Sequence, residues 1–371
     1  QRKTMIFFFL GIAIVYVLTI SWLIYGCSQV TLYTKKDATP KTRFSILVPF
    51  RNEAENLPIL LESIAKLKYP KDLFEVLLID DASEEKFQIP NSKFQITLTN
   101  SIRQSNSPKK DAITTGIPLA NNEWIVTTDA DCVIPKNWLL TMDAFIQNHT
   151  VEMIAGAVTY DCKPSFLHHF QQLDLTSLQG ATIGSFGINK GFMCNGANFA
   201  YTKSLFQKLN GFADNDKIAS GDDVFLLQKA IAQYPEKVLY LKSKDTIVRT
   251  QPTDSWKALF HQRVRWASKT SSYQSRFGIG LGLIVFAGNL SLILGLVAGF
   301  WGWIPFLYVA ILWLAKFMVD SVLLYTTHYF LSHSRMNYWI ASSLLYPFFS
   351  TSVALYAVFG SYEWKGRRFE K

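Results

Sequence analysis

Three acidic clusters and one mixed motif contain the side chains of this sequence that are best suited to chemistry. The acidic clusters are Asp80-Asp81, Asp129-Ala130-Asp131 (a DxD pattern) and Asp222-Asp223, and the mixed motif is Gln262–Trp266, which reads QxxRW. Neighbouring carboxylates can bind hard cations such as Mg²⁺ or Mn²⁺, and one of them can act as a general base. An arginine beside a tryptophan can neutralise phosphate charge and offer a flat face to a sugar ring.

Each motif also has a purely structural interpretation. Asp129 and Asp131 could form a solvated turn after a strand, and Asp80-Asp81 could form an Asx turn instead of binding a nucleobase or ribose. One carboxylate of Asp222-Asp223 could cap the helix that follows. The QxxRW segment could be an amphipathic helix at a membrane surface, with its arginines reaching into the headgroup region. Taken singly, the motifs leave these alternatives open.

The elements that must position these residues are predicted from short apolar runs. Phe44–Phe50, Glu75–Asp80 and Trp124–Thr128 are rich in β-branched and aromatic residues, as buried parallel strands are. Between the first two, Asn56–Lys66 has apolar residues at helical spacing. Alternating strands and helices predict an α/β fold with a mostly parallel sheet, in which ligands bind beyond the carboxyl ends of the strands. Two of the acidic clusters follow predicted strands directly.

Long apolar runs near both ends of the chain predict membrane helices. Met5–Tyr25 is uncharged and long enough to span a bilayer, and we interpret it as an uncleaved anchor. Three further candidate spans are Gly278–Trp303, Ile304–Leu331 and Asn337–Gly360. The middle one contains Lys316 and Asp320, which could be a functional polar site or, as we favour, a mutually neutralising pair.

Two amphipathic stretches, Phe166–Leu178 and Trp256–Tyr273, could lie in the membrane interface. Three C-terminal spans after a cytoplasmic domain would place the basic tail outside, against the positive-inside rule. One C-terminal segment is therefore expected to be re-entrant or interfacial.

Composition excludes several classes of protein. With 49% hydrophobic and 18% charged residues, the chain is neither disordered nor collagen-like. The net charge of +9 comes mainly from basic residues that flank apolar runs, so we expect membrane contact and no nucleic-acid partner. The cysteines show no CxxC pair and are expected to be reduced thiols: Cys27, Cys132, Cys162 and Cys194.

The order of the motifs, from an acidic strand end through DxD and DD to QxxRW, resembles the inverting family 2 glycosyltransferases with a GT-A fold. The resemblance is greatest to the membrane-bound branch, which includes ceramide glucosyltransferases, bacterial glycolipid and carotenoid glucosyltransferases and polysaccharide synthases. It covers about Phe44 to Trp266. It is carried also by VPFRNEAENL in the first strand, KKDAITTGI before DxD, the small-residue loop Cys194–Asn198 and the tail segment Trp364–Arg367.

The resemblance implies a nucleotide-diphospho-sugar transferase domain with a Rossmann-like sheet, and it assigns roles to matching residues. Nucleoside contacts are expected from Phe50, Glu53, Asp80 and Asp81. Further donor contacts are expected from Lys110, Asp129, Asp131, Gln262, Arg265 and Trp266. Asp131, with Asp129, would hold Mg²⁺ or Mn²⁺, and Arg265 would neutralise the leaving diphosphate. Asp223 is chosen as the catalytic base, but Asp222 stands where the family often has glutamate, so the choice between the two stays open.

The predicted organisation is an anchor over residues 1–30, a GT-A domain over 40–255, an interfacial QxxRW helix over 256–276 and a membrane region over 277–371. The expected activity is inverting transfer of a hexose from a nucleotide-diphosphate sugar, with UDP favoured, to a hydroxyl of a membrane lipid at the cytoplasmic face. The alternatives are a processive polysaccharide synthase and, from another class, a non-catalytic membrane scaffold or a transporter. The oligomeric state is left unpredicted.

Overall fold

A computed structural model describes residues 2–34, 38–213, 221–332 and 334–360 and, for the backbone alone, residues 362–364 and 367–369. The chain divides into two compact units. The sheet unit consists of Thr31–Asp161 and Phe192–Gln251. The helical unit consists of Gln1–Val30, Cys162–Gly191 and Pro252–Lys371. Of the basic tail, Lys365 and Lys371 lie outside the described residues.

The sheet unit is built on a seven-stranded sheet with the order β3-β2-β1-β4-β7-β5-β8. Its strands are β1 (Phe44–Phe50), β2 (Phe74–Asp80), β3 (Gln95–Asn100), β4 (Trp124–Thr127), β5 (Met153–Gly156), β7 (Phe199–Thr202) and β8 (Val238–Leu241). A separate parallel pair is formed by β6 (Val158–Tyr160) and β9 (Val248–Thr250). Only β7 in the large sheet runs antiparallel to its neighbours.

The helices divide between the two units. The helical unit contains α1 (Arg2–Gln29), α5 (Phe166–Gly187), α8 (Trp256–Ser268), α9 (Arg276–Phe300), α10 (Phe306–Leu331), α11 (Trp339–Phe359) and the hairpin of β10 (Tyr362–Trp364) with β11 (Arg367–Phe369). The sheet unit contains α2 (Leu57–Ala65), α3 (Pro108–Leu119), α4 (Trp138–Asn148), α6 (Lys203–Lys208) and α7 (Asp222–Gln233).

The register of the parallel strands aligns their carboxyl ends at one edge of the sheet. Phe50 pairs with Asp80, and Asp80 pairs with Asn100, so β1, β2 and β3 end together. Helix α2 covers this part of the sheet because its apolar face, led by Leu57 and Leu60, is fully buried. The predicted mostly parallel α/β sheet is confirmed, while the antiparallel β7 lies outside the strands that the apolar runs predicted.

Four helices, α1, α9, α10 and α11, are long and apolar enough to cross a membrane. Each begins and ends within a few residues of a run predicted from the sequence. Because a bilayer core needs about 20 apolar residues in a helix, all four satisfy the length that spanning requires.

Helices α1 and α5 pack through glycines. A methyl group at Gly184 would lie 2.4 Å from the carbonyl oxygen of Leu23, and one at Gly187 would lie 1.8 Å from that of Gly26. The thiol of Cys27 also donates to the carbonyl oxygen of Gly180 at 3.2 Å. Helix α5 thus extends well beyond the amphipathic stretch that the sequence predicted, and its second half contacts α1 so closely that larger residues would push the backbones apart.

The charged pair in α10 is neutralised within the helical unit. Lys316 forms an ion pair with Asp320 one turn along the helix, and the hydroxyl of Tyr16 on α1 donates to the same carboxylate at 2.8 Å. The Lys316 ammonium also lies 5.1 Å from the centre of the Tyr16 ring. These contacts match the structural interpretation favoured from the sequence, because each charge of the pair has a partner inside the bundle.

Candidate active site

One lysine joins two of the acidic clusters at the carboxyl edge of the sheet. The Nζ atom of Lys109, near the start of α3, lies 2.6 Å from Oδ1 of Asp129 and 3.6 Å from Oδ2 of Asp222. Asp129 follows β4, and Asp222 is the first residue of α7. The sheet and the two helix starts therefore bring together carboxylates that are far apart along the chain.

A glycine in the small-residue loop permits this arrangement. The backbone N–H of Gly196 donates to Oδ2 of Asp223 at 2.8 Å, and its carbonyl accepts from Oγ1 of Thr127 at 2.7 Å. A methyl group at Gly196 would lie 3.2 Å from both Oδ2 of Asp222 and Nζ of Lys109. The loop therefore ties the end of β4 to the Asp223 carboxylate, and the nearby Asp222 and Lys109 leave little room for a side chain at Gly196.

The loop itself is held by a fully buried asparagine. The amide of Asn198 donates to the carbonyl oxygens of Ala157 and Thr246 at 2.8 and 2.7 Å. Its oxygen accepts from the indole N–H of Trp138 at 2.9 Å. Because buried amides are costly unless they are hydrogen-bonded, these three bonds make Asn198 a structural residue that fixes the loop under the site.

The electrostatics of the cluster keep Lys109 charged. Burial lowers the pKa of Lys109, but the negative charges of Asp129, Asp222 and Asp223 outweigh it, so the net shift is upward. Burial and the Asp222 carboxylate raise the pKa of Tyr201, which lies on β7. Burial and the charges of Asp131 and Asp129 likewise raise the pKa of the Cys132 thiol, so it stays protonated. The cluster thus contains several carboxylates close to the Lys109 ammonium.

The DxD residues fit a divalent cation that is shared with a substrate. In the described part of the chain, no group of three His, Cys, Asp or Glu side chains is placed to hold a metal ion by itself. Mg²⁺ and Mn²⁺ are commonly bound through one or two carboxylates plus substrate phosphates, which is the number that Asp129 and Asp131 can offer. The Asp129 side chain is 38% exposed, so it is accessible to an incoming metal–diphosphate complex.

The structure distinguishes Lys109 from its neighbour. The sequence prediction selected Lys110, but that side chain is only 2% exposed and its ammonium lies 5.0 Å from the centre of the Phe225 ring on α7. The Lys109 ammonium lies in the carboxylate cluster. Successive residues of a helix point about 100° apart, so Lys109 and Lys110 leave α3 in different directions.

The Asp80-Asp81 pair separates into two roles. Asp80 accepts bonds from the N–H and the hydroxyl of Ser83, which is the local turn considered as its structural interpretation. Asp81 instead lies 2.7 Å from the guanidinium of Arg103, which follows β3. Arg51 donates to the carbonyl oxygen of Asp81 at 3.0 Å. Sequence reasoning missed Arg103; a basic residue just after the strand beside β2 was the available signal.

The two remaining nucleoside-contact predictions have different outcomes. Phe50 is 4% exposed and packs in the hydrophobic core, so little of its side chain is accessible to a nucleoside. Its burial follows from its position on a strand covered on both faces. The carboxylate of Glu53 accepts a bond of 2.6 Å from the amide of Asn56, at the start of α2.

The QxxRW motif belongs to the helical unit, where it lies on α8. The spacing places Gln262, Arg265 and Trp266 on one face, because residues three and four apart are neighbours on a helix. Val264 points elsewhere and is fully buried beside Val353 and Ala357 of α11. A helix therefore forms over Trp256–Ser268, within the predicted range 256–276, and one apolar face of it packs on α11.

Comparison with known proteins relates part of this chain to an enzyme family. The model of the family described as glycosyl transferase family 2 matches residues 45–209. The chain carries a family 2 glycosyltransferase domain. Asp80-Asp81, Lys109 and the DxD residues lie inside this match, whereas Asp222-Asp223 and QxxRW follow it.

Curated relatives of the glycosyltransferase domain differ in their named products. The poly-β-1,6-N-acetyl-D-glucosamine synthase of Staphylococcus epidermidis is 25% identical over 244 residues, which cover 64% of this chain and 57% of that protein. The β-monoglucosyldiacylglycerol synthase of Trichormus variabilis is 24% identical over 234 residues, which cover 60% of this chain and 48% of that protein. The chain thus spans about half the length of the curated relatives it matches.

A solved structure shows the same fold along nearly the whole chain. It is a mannosyltransferase from Pyrobaculum calidifontis in complex with GDP-Man and Mn²⁺, with a TM-score of 0.58 at 16% identity. The superposition covers 97% of this chain and 99% of that one. The predicted GT-A fold with apolar helices at both ends is thereby confirmed.

Proposed function

We propose that this protein transfers a hexose from a nucleotide-diphosphate sugar to a hydroxyl of a membrane lipid, with inversion at the anomeric carbon. The observation that carries the proposal is a cluster of three carboxylates at the carboxyl edge of the sheet. Lys109 is paired with Asp129 and Asp222, and Gly196 donates a hydrogen bond to Asp223. A family 2 glycosyltransferase domain in a chain with four apolar helices supports a membrane-bound enzyme.

Asp223 is proposed as the general base. It would accept the proton of the acceptor hydroxyl while that oxygen forms a bond to the anomeric carbon from the face opposite the diphosphate. The bond between the anomeric carbon and the diphosphate oxygen then breaks, and the nucleoside diphosphate leaves with the electron pair. Asp222 is paired with Lys109 at 3.6 Å, and the Asp223 carboxylate accepts the backbone N–H groups of Gly196 and Val224 at 2.8 and 2.7 Å.

The donor is proposed to be a UDP-sugar, whose uracil would bind to Asp81 and Arg103. A carboxylate can accept the imide N–H of uracil while a neighbouring guanidinium donates to the adjacent carbonyl, and these two side chains lie 2.7 Å apart. Lys109 would contact the diphosphate, whose charge a lysine can balance. Asp129 and Asp131 would hold Mg²⁺ or Mn²⁺, which supplies Lewis-acid stabilisation of the leaving diphosphate.

The lipid acceptor is proposed from the membrane architecture and from one relative. The four apolar helices would keep the domain at the bilayer surface, where a lipid headgroup hydroxyl is available. The relative from Trichormus variabilis is named as a glycolipid synthase. We assign Gln262, Arg265 and Trp266 to donor and acceptor contacts, and we place the domain at the cytoplasmic face of a multi-pass membrane protein.

The alternative is a processive polysaccharide synthase, because the relative from Staphylococcus epidermidis is named as one. Polymer export requires a hydrophilic channel through the bilayer. On α10, Lys316 forms an ion pair with Asp320, and Tyr16 donates a hydrogen bond to the same carboxylate. Because these polar groups bind one another, the pair does not provide a hydrophilic lining for a channel. Product size separates the two functions directly.

The test is a transfer assay with purified protein, Mn²⁺, radiolabelled UDP- and GDP-sugars and total membrane lipid, followed by organic extraction. Label in the organic phase that is lost in Asp131→Ala supports metal-dependent lipid glycosylation and identifies the donor. Label that remains in insoluble polymer supports the polysaccharide synthase. Absence of transfer to either fraction, despite donor binding, contradicts both acceptors.

A further inference from the structure

The QxxRW helix contains a second arginine that the motif does not specify. Arg263 is 5% exposed, and its guanidinium forms an ion pair with the carboxylate of Asp174 on α5, which is 6% exposed. Burying two charges is favourable only when they are paired and hydrogen-bonded in good geometry. A pair this deeply buried therefore imposes a defined position on both side chains.

The same guanidinium contacts two of the three motif residues. One of its Nη atoms donates to the side-chain oxygen of Gln262, and its central carbon lies 4.2 Å from the centre of the Trp266 ring. Gln262 and Trp266 are one turn apart on α8. The Arg263 side chain contacts both of them and is also paired with Asp174. The orientation of the glutamine amide and of the indole ring is therefore coupled to the carboxylate on α5.

Helix α5 also fixes the start of α8. The amide of Gln171 donates to the carbonyl oxygen of Thr253 and accepts from its N–H, both at 2.9 Å. His168 lies 2.9 Å from Asp254. His168, Gln171 and Asp174 follow one another at intervals of three residues, so successive turns of α5 hold α8 at its beginning and at its motif.

We propose that Asp174 is a positioning residue for the QxxRW motif, acting through Arg263 on Gln262 and Trp266. The proposal rests on the proposed function for its catalytic consequence, because Gln262 and Trp266 matter to turnover only if they contact donor or acceptor. Its structural content stands on the contacts within the helical unit. Side chains that support a functional residue from behind typically affect activity by about 10- to 100-fold.

The test uses Asp174→Asn, which removes the charge while keeping the shape, in full-length protein labelled with 5-fluorotryptophan. The ¹⁹F resonance of Trp266 is assigned by its loss in Trp266→Phe. We expect Asp174→Asn to shift or broaden that resonance and to lower kcat about 10- to 100-fold, while the Kd for UDP stays unchanged. Arg263→Lys keeps a positive charge near Asp174 but lacks the planar fork, and it should affect the same resonance.

The matched control is Asp320→Asn, the same substitution in another ion pair of this unit, where Asp320 is paired with Lys316. It should leave the Trp266 resonance in place. An unmoved resonance in Asp174→Asn, or equal shifts in both variants, overturns the proposal. If Asp174→Asn does not fold, the comparison is made with Asp174→Glu and Arg263→Lys, where an unmoved resonance in both has the same meaning. A moved resonance in an enzyme that transfers no sugar supports the positioning role and refutes the proposed function.

Discussion

Replacing Lys109 by methionine removes the cation that the carboxylates of the site share, while keeping most of its volume. At an effective dielectric constant of about 20, two unit charges at the 3.6 Å that separate Lys109 from Asp222 attract by about 5 kcal/mol. Desolvation offsets much of that attraction, and the 38% exposure of Asp129 screens the second pair. We therefore expect Lys109→Met to lose about 2 kcal/mol of folding free energy.

The assay is thermal unfolding of detergent-purified protein with and without Mn²⁺, together with sugar transfer. A divalent cation supplies the missing positive charge, so Mn²⁺ should raise the Tm of Lys109→Met more than that of the wild type. Turnover should fall by at least about 100-fold, because the leaving diphosphate loses a cationic contact. The matched control is Lys203→Met, since the Lys203 ammonium donates only to the backbone carbonyl of Ala120, at 2.6 Å, among the contacts described.

Two results would refute this reasoning. Normal turnover with an unchanged Tm would show that Lys109 neither balances the carboxylates nor contacts the donor. Equal Mn²⁺ stabilisation of the variant and the wild type would show that the metal does not bind beside Asp129.

Three further predictions address the catalytic base, the packing of α1 against α5 and the pH dependence of stability. Asp223→Asn should lower kcat about 10²- to 10⁴-fold while the Kd for UDP is kept, and normal turnover would exclude Asp223 as the base. Gly184→Ala should cost about 1–3 kcal/mol in thermal unfolding because the added methyl would lie 2.4 Å from a backbone oxygen, whereas Gly11→Ala, with open space around it, should not. Burial, reinforced by the nearby His168 and His328, lowers the pKa of His169, so the unfolded state binds that proton more tightly. Stability should therefore fall as the pH drops from 7 to 5, and His169→Gln should flatten the decline; an unchanged slope would contradict it.

Local sequence patterns predicted several of the strands and helices, because the spacing of apolar residues reflects the local geometry of each element. The apolar runs at Phe44–Phe50 and Glu75–Asp80 are β1 and most of β2, and the apolar stripe of Asn56–Lys66 is α2. The four apolar runs correspond to α1, α9, α10 and α11. Strand β7 was missed because its antiparallel position depends on pairing with β4 and β5. The spacing of apolar residues along the chain does not indicate such pairing.

The sequence singled out the acidic clusters, and the structure brings Asp129, Asp222 and Asp223 together. Helical spacing also predicted the face of α8 that carries Gln262, Arg265 and Trp266. Only the tertiary structure showed that Lys109, at the start of α3, contacts Asp129 and Asp222.

The structure also selected Asp81 over Asp80 as the partner of Arg103, and it revealed Asp174 behind Arg263. The physical reason is the same in each case. Composition and periodicity establish which elements form and where along the chain polar groups occur. The rotation of each helix and the pairing of residues distant in sequence are set by packing, and packing exists only in the folded chain.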